Sequence, residues 1–551
     1  MKTNNNQLVL GIDYGTDSCR ALIVDAITGE ERAVGVADYP RWKKGLYCNP
    51  RENQYRQHPS DYIDTLVKSV NDAVSQLAED ERKNIKGISI DTTGSTPVIT
   101  DSNGTPLSLT KEFADDPDAM FILWKDHTAI AEAERINMLI SEKGLSYNKY
   151  SGGTYSAEWV WAKVLHVLNN NQHIREKAYS WVEHCDWMSA ILTGNTKPEA
   201  ILRSRCAAGH KAMWHEDWTL PSSEFLSALH PVLGEMRGHL FSETFTCDKE
   251  AGKLTKEWAD RLNLPCGISV GVGAIDAHMG AVGASVAPGI LVSIIGTSTC
   301  DIMVAKKETL VNPCIQGISS QVDGSILPGY EGIEAGQAAF GDIFAWYKKT
   351  LSWTLAALKS DEEAAEITHR VLDRLSHEAE QIAPDSEGLV ALDWMNGRRT
   401  PDANQNLKGM IAGISLSSSA PEIYRALVES TAFGLKRIIE HMHSQGLEID
   451  SINAVGGISK KSAFVMQILS DVIGMPIKII KSENACALGS AMFAAVISGI
   501  YPNIEEAQKH MQSDIEKEYV PRREMKEVYD RLYQKYLLLG KTAEQLIELN
   551  N

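Results

Sequence analysis

One short pattern occurs in both halves of this sequence, and it constrains the fold more than any other feature. Residues 8–24 read LVLGIDYGTDSCRALIV, and residues 290–304 read ILVSIIGTSTCDIMV. Each run predicts an apolar strand, a tight turn that contains glycine and a second apolar strand, which together form a β-hairpin. Because each hairpin opens a long α/β stretch, the repetition predicts two similar α/β domains that close on a shared ligand.

The two predicted turns, Gly15-Thr16-Asp17-Ser18 and Gly296-Thr297-Ser298-Thr299, carry groups suited to an anion. Successive backbone N–H groups and hydroxyls on one concave side hold a phosphate without any net positive charge. Gly-Thr and Gly-Ser also occur in ordinary hairpin turns, and that alternative stays open for either turn alone. Asp13 ends the strand before the first turn, where its carboxylate is suited to hold Mg²⁺ through water.

The charge balance argues against one class of partner. The 551 residues include 54 basic and 72 acidic side chains, a formal net charge of −18, so no nucleic-acid partner is expected. The 9 cysteines include no Cys-x-x-Cys pair, which argues against a disulfide framework or a zinc knuckle. No segment has the pattern of a signal peptide or a membrane span, so we expect a cytoplasmic protein without a membrane partner.

A candidate catalytic base lies in the run GVGAIDAHMGAVG at 271–283. Asp276 enters a predicted helix among small residues, where a structural N-cap is the alternative role. In the catalytic interpretation, its carboxylate accepts a proton from a sugar hydroxyl while that oxygen attacks a γ-phosphoryl group. Two more runs rich in small residues, INAVGGIS at 452–459 and ACALGSAMF at 485–493, fit a nucleotide pocket because they let backbone approach a flat ring closely.

Further short segments complete a family pattern: Gln57-His-Pro59, Trp124-Lys-Asp126, Gly397-Arg-Arg399-Thr-Pro401 and 408–413. With them the sequence resembles the FGGY class of sugar kinases, within the actin, Hsp70 and hexokinase superfamily, from Leu8 to about Ala495. The resemblance implies two ribonuclease-H-like α/β domains with a central cleft. It implies an N-terminal sugar-binding domain at 1–286 and a C-terminal ATP-binding domain at 287–551, with a helical tail at about 496–551.

Longer runs bear on the substrate. The runs YPRWKKG at 39–45, DTTGSTP at 91–97, LWKDHTA at 123–129, AGHKAMWHE at 208–216 and GIEAGQAAFGDIFAW at 332–346 resemble the ribulokinases of the class. Glycerol kinases carry an Arg-Glu pair after the strand that ends at Asp91, and xylulokinases a Gly-Gln-Met-His type segment. Both are missing here. The resemblance implies ATP-dependent phosphorylation of L-ribulose to L-ribulose 5-phosphate, in L-arabinose catabolism.

Two alternatives stay open at this point. Another pentulose or pentitol, such as D-ribulose or ribitol, differs from L-ribulose in features that a sequence does not locate in space. A non-kinase ATPase of the actin or Hsp70 type would carry a peptide-binding domain or polymer contacts, and only a short helical tail follows Ala495. The oligomeric state, including a homodimer, is left open.

The resemblance also implies roles for individual residues. Asp276 matches the catalytic base, and Asp13 is assigned to the metal. Sugar contacts are implied at Gly94, Ser95, Trp124, Asp126, Lys211, Asp276 and Glu334. ATP contacts are implied at Gly15, Thr16, Asp17, Ser18, Gly296, Thr297, Ser298, Gly336, Gly456, Gly457 and Lys461, with Mg²⁺ as the second cofactor. Lys211 suits sugar hydroxyls as a hydrogen-bond donor, and an exposed loop lysine is the alternative. Lys461 departs from relatives that place an asparagine near the adenine.

Overall fold

The computed structural model describes residues 7–385 and 387–549, and this part of the chain forms two compact units. The first unit contains the residues up to Ser285 together with Ser320–Gly332 and Asn484–Ser513. The second contains Val286–Ser319, Ile333–Glu483 and the residues from Asp514 onward. Two later segments pack with the first unit, so the units are not contiguous in sequence. The division into domains at 1–286 and 287–551 stays a prediction.

Strands and helices are interspersed along the first 283 residues, with five strands before the first α-helix. The strands are β1 (Leu8–Tyr14), β2 (Ser18–Asp25), β3 (Glu31–Asp38), β4 (Cys48–Asn49), β5 (Gln54–Gln57), β6 (Ile85–Thr92), β7 (Pro97–Thr100), β8 (Phe121–Ile122), β9 (Ser180–Glu183), β10 (Glu250–Lys253), β11 (Ser269–Gly271) and β12 (Ala274–Ile275). The helices are α1 (Pro59–Ser75), α2 (Glu79–Arg82), α3 (Ile130–Glu142), α4 (Val160–Asn170), α5 (Gln172–Lys177), α6 (His184–Thr193), α7 (Arg205–Lys211), α8 (Ser223–Leu229), α9 (Pro231–Met236), α10 (Lys256–Leu262) and α11 (Asp276–Gly283).

Strands and helices are likewise interspersed in the remainder of the chain. Its strands are β13 (Gly289–Ile295), β14 (Thr299–Ala305), β15 (Ser320–Asp323), β16 (Glu331–Ala335), β17 (Val390–Ala391), β18 (Ile411–Ala412), β19 (Ile449–Val455), β20 (Ile477–Ile480) and β21 (Ile515–Tyr519). Its helices are α12 (Gly341–Leu351), α13 (Trp353–Leu358), α14 (Asp361–His369), α15 (Val371–Glu380), α16 (Ala420–Ser444), α17 (Gly457–Lys461), α18 (Ala463–Ile473), α19 (Ala485–Ile497), α20 (Ile504–Met511) and α21 (Lys526–Glu548). Short 3₁₀ helices lie at Trp42–Lys44, Leu107–Leu109, Pro117–Ala119, Arg237–His239, Lys307–Thr309 and Arg523–Met525.

The main sheet of the first unit has the strand order β10-β11-β6-β1-β2-β3, and β12 also pairs with β6. β1 pairs antiparallel with β2 and parallel with β6. Every residue of β1 is buried, as expected for a central strand covered on both faces. β3 instead alternates buried and exposed residues, as expected for a strand with one face in water.

Six strands of the second main sheet repeat that order as β16-β14-β13-β19-β20-β21, and β15 continues this sheet beyond β16. β13 pairs antiparallel with β14 and parallel with β19, and β20 pairs parallel with β19 and antiparallel with β21. The outer strand β10 likewise pairs antiparallel with β11 in the first unit. The two sheets therefore share one topology, as the repeated hairpin predicts.

The predicted helical tail needs one correction. Residues 515–519 form the edge strand β21, and α20 belongs to the first unit. α21 does pack on the second unit, where Tyr529, Leu532 and Tyr536 join its apolar core. Within the described ranges, no helix has the length and apolar character needed to cross a membrane.

Glycines let α19 lie directly against β1 and α11 in the first unit. A Cβ on Gly11 would lie 1.8 Å from the Ala487 carbonyl, and one on Gly489 would lie 2.0 Å from the Met279 carbonyl. A Cβ on Gly283 would lie 2.0 Å from the Ala485 carbonyl. These contacts are backbone on backbone, so no side chain can move aside to relieve a substitution.

We expect Gly489→Ala to destabilise the first unit by about 3 kcal/mol or to prevent its folding, because the added methyl group overlaps a backbone carbonyl of α11. Denaturant unfolding followed by circular dichroism measures this change. Gly238→Ala is the matched control, because no described atom lies within 4 Å of a Cβ at Gly238. Equal stability of the two variants would contradict the backbone contact between α11 and α19.

Candidate functional site

The turn of the first hairpin has its backbone carbonyls tied back into the first unit. Tyr39 Oη donates to the Gly15 carbonyl at 3.0 Å, and Gln57 Nε2 donates to the Thr16 carbonyl at 2.7 Å. The Asp17 carbonyl accepts from the Tyr39 amide at 3.0 Å. Among the described residues, the Thr16 and Asp17 amides have no hydrogen-bond acceptor. Two consecutive N–H groups are therefore left for an anion.

The second hairpin repeats this arrangement with a turn that is one residue shorter. Tyr14 pairs with Cys19 across the first turn, whereas Ile295 pairs with Thr299 across the second. The carbonyls of the second turn accept hydrogen bonds from the start of α12, at 2.7–3.1 Å, and from the Gly296 amide, at 3.0 Å. In residues 7–385 and 387–549, nothing accepts a hydrogen bond from the next two amides of this turn, at 297 and 298.

Three of the predicted nucleotide contacts lie beside the second hairpin. A Cβ on Gly336 would lie 2.2 Å from a carbonyl of β14, and one on Gly456 would lie 2.4 Å from a carbonyl of β13. Gly456 also has a φ of 104°, which favours glycine. No described atom lies within 4 Å of a Cβ on Gly457, so space is open there. Lys461 is exposed at the end of α17, and Glu334 lies on β16.

An acidic cluster lies at the end of β1 in the first unit. The parallel register of β1 and β6 places Asp13 opposite Asp91. Asp91 Oδ2 accepts from Ser490 Oγ at 2.5 Å, and Asp91 Oδ1 is buried without a hydrogen-bond partner among the described residues. Burial raises the pKa of Asp13, and burial together with the Asp13 charge raises the pKa of Asp91 well above its ordinary range. Oxygens of Asp13 and Asp91 and the Cys486 sulfur lie within 4.8 Å of one another.

Asp276 begins α11 near this cluster. The N-cap position belongs to Ile275, so the alternative in which Asp276 serves as the N-cap is wrong. Asp276 Oδ1 accepts from the Ala277 amide at 2.7 Å. Burial, and after it the Asp13 charge, raises the pKa of Asp276 from 3.8 to about 7, whereas the Lys211 charge acts to lower it.

Lys211 is the last residue of α7, and its side chain is buried. It is 5% exposed, and its ammonium lies 5.5 Å from the centre of the Trp159 ring. The alternative of an exposed loop lysine is therefore wrong. Its charge acts on the Asp276 carboxylate, so these two predicted residues share one part of the first unit.

Gly94 and Ser95 lie in the loop between β6 and β7. A Cβ on Gly94 would lie 2.7 Å from the side chain of Ile275, the residue before Asp276. Ser95 is 1% exposed, and its hydroxyl donates to Glu183 Oε1 at 2.5 Å, so that hydroxyl is engaged within the fold. Elsewhere in the same unit, Trp124 Nε1 donates to the Thr16 hydroxyl at 3.0 Å. That bond joins a predicted sugar contact to a predicted phosphate contact.

Asp126, a predicted sugar contact, has a carboxylate that is hydrogen-bonded within the fold. Its carboxylate is buried, and Oδ2 accepts from the Tyr55 amide at 2.7 Å and from Arg56 Nη1. Oδ1 accepts from the amide and the hydroxyl of Thr128, at 3.1 and 2.6 Å. Because both oxygens are engaged in the fold, Asp126 holds the backbone beside Trp124 in place.

Three residues of the acidic cluster were not expected to be functional. Arg20 Nη1 donates to Asp13 Oδ2 at 3.1 Å, and the Arg20 side chain is 30% exposed. Asp91 is the penultimate residue of β6, just as Asp13 is the penultimate residue of β1, and this parallel could have identified it. Ser490 had no such indication, because it reaches Asp91 from α19 across 399 residues of sequence.

The comparisons with known proteins assign a class to this combination of two related sheets, two hairpin turns with free amides among the described residues, and a carboxylate of raised pKa: the carbohydrate kinases. The family model described as the FGGY family of carbohydrate kinases, N-terminal domain, matches residues 8–283, and the one for the C-terminal domain matches residues 291–498. The chain belongs to the FGGY family of carbohydrate kinases. Both the predicted family and the predicted fold class are confirmed.

Relatives agree with this assignment. A protein named ribulokinase from Vibrio parahaemolyticus is 46% identical over 553 residues, covering 99% of this chain and 98% of the relative. Another from Halalkalibacterium halodurans is 36% identical, covering 96% and 94%. Among solved structures, a xylulose kinase from Rhodospirillum rubrum has a TM-score of 0.76 at 19% identity, covering 98% of this chain and 100% of that one. A similarity at that identity concerns the fold alone.

We expect Asp276→Asn to stabilise the protein at high pH, with metal removed by a chelator. The folded pKa of Asp276 is raised, so the native state binds more protons than the unfolded state between about pH 4 and pH 7, and stability falls as pH rises through that window. Asparagine does not ionise, so Asp276→Asn avoids this loss of stability. The gain is on the order of 1 kcal/mol at about pH 8 after screening, and it disappears near about pH 4.

Differential scanning calorimetry across this pH range measures the effect. The matched control is Asp64→Asn, an exposed acid on α1, which should leave the melting temperature unchanged at every pH. A gain that does not depend on pH would contradict a raised pKa for Asp276.

Proposed function

We propose that this chain transfers the γ-phosphoryl group of ATP to the terminal hydroxyl of L-ribulose, giving L-ribulose 5-phosphate and ADP. The observation that carries the proposal is the pair of hairpin turns, each with its carbonyls tied into the fold and two consecutive amides left free among the described residues. Relatives named ribulokinase along almost the whole chain support the choice of ribulose.

In this proposal the hairpin turns bind the phosphates of ATP. Their amides are fixed before any ligand arrives, so charge that develops on the transferred group meets dipoles that need no reorganisation. The rest of the nucleotide is assigned to the open space at Gly457. Gly336 and Gly456, where the backbone packs closely against β14 and β13, lie in the same region. Lys461, exposed at the end of α17, is assigned to the same nucleotide region.

Asp276 acts as the general base in the proposed reaction. A base is most efficient when its pKa lies near the operating pH, and the pKa of about 7 meets that condition. The carboxylate takes the proton of the terminal hydroxyl as the oxygen attacks phosphorus. Lys211, Gly94, Trp124 and Glu334 are assigned to the sugar, whereas Asp126 and Ser95 act by holding the backbone around it.

The acidic cluster suits the Mg²⁺ ion that the family implies. Asp91 Oδ1 is a buried oxygen without a hydrogen-bond partner among the described residues, and carboxylate oxygens of Asp91 and Asp13 lie within 4.8 Å of each other. Carboxylate oxygens are the ligands that Mg²⁺ prefers, whereas the Cys486 thiol is too soft a ligand. Asp13 and Asp91 would therefore hold the ion. When bound, it would offset the negative charge of the phosphates.

The substrate assignment is tested by ADP production against a panel of L-ribulose, D-ribulose, L-xylulose, ribitol and glycerol. We expect the highest kcat/KM with L-ribulose. We expect Asp276→Asn to lower kcat by at least about 10³-fold, because the base is lost while the shape of the site is kept. Asp64→Asn should retain full activity. Equal rates with the D-isomer or with glycerol would refute L-ribulose, and full activity of Asp276→Asn would refute the assigned base.

The metal assignment is tested by Asp13→Asn. We expect the Mg²⁺ concentration for half-maximal rate to rise by about tenfold or more, because one of the two carboxylates is lost. Binding of Mn²⁺ in the presence of ADP, measured by electron paramagnetic resonance, should weaken in parallel. Asp64→Asn should bind Mn²⁺ as the unmodified protein does, and unchanged binding by Asp13→Asn would place the ion elsewhere.

A further inference from the structure

We propose that Lys163 and Glu183 are positioning residues that fix the sugar-binding loops of the first unit. The inference rests on the proposed function, because it takes the loop at 93–96 and the segment that leads to Trp124 as parts of the sugar site. Neither residue was expected from the sequence to have a role.

Lys163 joins these two segments through its ammonium. It lies on α4 and is 1% exposed, and Nζ donates to the Ser95 carbonyl at 2.7 Å. Nζ also donates to the Leu123 carbonyl at 2.9 Å and to the Ile122 carbonyl at 3.5 Å. The buried amino group of Lys163 therefore sets the distance between the loop that carries Gly94 and the residue that precedes Trp124.

Glu183 holds the same loop from another direction. It ends β9 and is 3% exposed. One carboxylate oxygen accepts from the Ser95 hydroxyl at 2.5 Å, and the other accepts from the Thr96 amide at 2.8 Å. The carbonyl and the side chain of Ser95 are thus both fixed, by a lysine and a glutamate on two different elements.

Stability of the core alone does not explain why Lys163 and Glu183 are buried. Burying an ammonium and a carboxylate costs several kcal/mol of desolvation for each ion, and apolar residues of similar size often stabilise a fold equally well. The two side chains contribute directional hydrogen bonds, which fix the atoms that they contact at set positions. The loop also touches Ile275 next to Asp276, so a displacement of Ser95 would move the sugar relative to the base.

The test is Lys163→Met, which keeps the length of the side chain and removes its donors. We expect kcat/KM for the sugar to fall about 100-fold, chiefly through KM, while KM for ATP changes by less than about twofold. Calorimetric titration of the sugar without ATP should show the same loss of affinity. A folded Lys163→Met protein with unchanged sugar affinity, or with equal losses for sugar and ATP, would overturn the proposal.

A second variant covers the case in which Lys163→Met leaves Glu183 as a lone buried charge and does not fold. Lys163→Met combined with Glu183→Gln removes both charges, and it should fold and show the same selective loss of sugar affinity. If that double variant folds and binds sugar normally, the proposal is wrong. If neither variant folds, Glu183→Gln alone decides. Glutamine keeps an acceptor for only one of the two donors, the Ser95 hydroxyl and the Thr96 amide. An unchanged KM for the sugar in Glu183→Gln overturns the inference.

The matched control is Arg425→Met, which breaks a buried ion pair of the second unit, Arg425 Nε to Glu429 at 2.8 Å. It should lower the melting temperature without changing KM for the sugar. If the unmodified protein prefers a sugar other than L-ribulose, the substrate proposal fails, and the same KM comparison with the preferred sugar still tests Lys163. The substrate proposal and the positioning role of Lys163 and Glu183 can therefore be refuted independently of each other.

Discussion

The parallel pairing of β1 with β6 places the carboxylates of Asp13 and Asp91 side by side in the interior of the first unit. Two such groups repel each other and lose solvation, so the surrounding structure must compensate for both. Arg20 comes from β2 to Asp13, and Ser490 comes from α19 to Asp91. Ser490 can reach Asp91 only because α19 lies directly on β1, which the absence of a side chain at Gly11 permits. The hairpin, the sheet and the helix α19 thus each contribute a group or a contact on which the burial of these two acids depends.

The two sheets share one topology, but their hairpins carry different chemistry. The strand register places Arg20 opposite Asp13 in the first hairpin, and it places Cys300 opposite Ile294 and Asp301 opposite Ser293 in the second. Asp301 is buried and accepts from the Ser293 and Thr299 hydroxyls, so it supports its own strands. The second hairpin therefore presents neutral donors at its turn, while the charged pair is confined to the first.

Local patterns made the hairpins and the carboxylate at Asp276 predictable, because turn residues and strand ends depend on near neighbours in sequence. The remaining features depend on contacts between distant segments. The sequence shows Lys163 only as a residue of a helix, because Ser95 and Leu123 reach it through the fold, and it does not show that Asp126 pairs with Arg56. The strand β21 was missed for another reason: it is an exposed edge strand, so it lacks the apolar alternation that identifies a half-buried one.

The acidic character of the chain is consistent with a phosphate site built from neutral groups. A lysine placed among Asp13, Asp91 and Asp276 would be attracted to the carboxylates, and Arg20 is already hydrogen-bonded to Asp13. Backbone amides cannot be drawn away in this manner, because the carbonyls of the same turns are held by Tyr39, Gln57 and the start of α12. Dipoles fixed by the fold keep their direction whatever the charge of their surroundings. In the proposed function, a chain with a net charge of −18 can therefore bind polyphosphate at its two hairpin turns, where the carbonyls are engaged and two amides are free among the described residues.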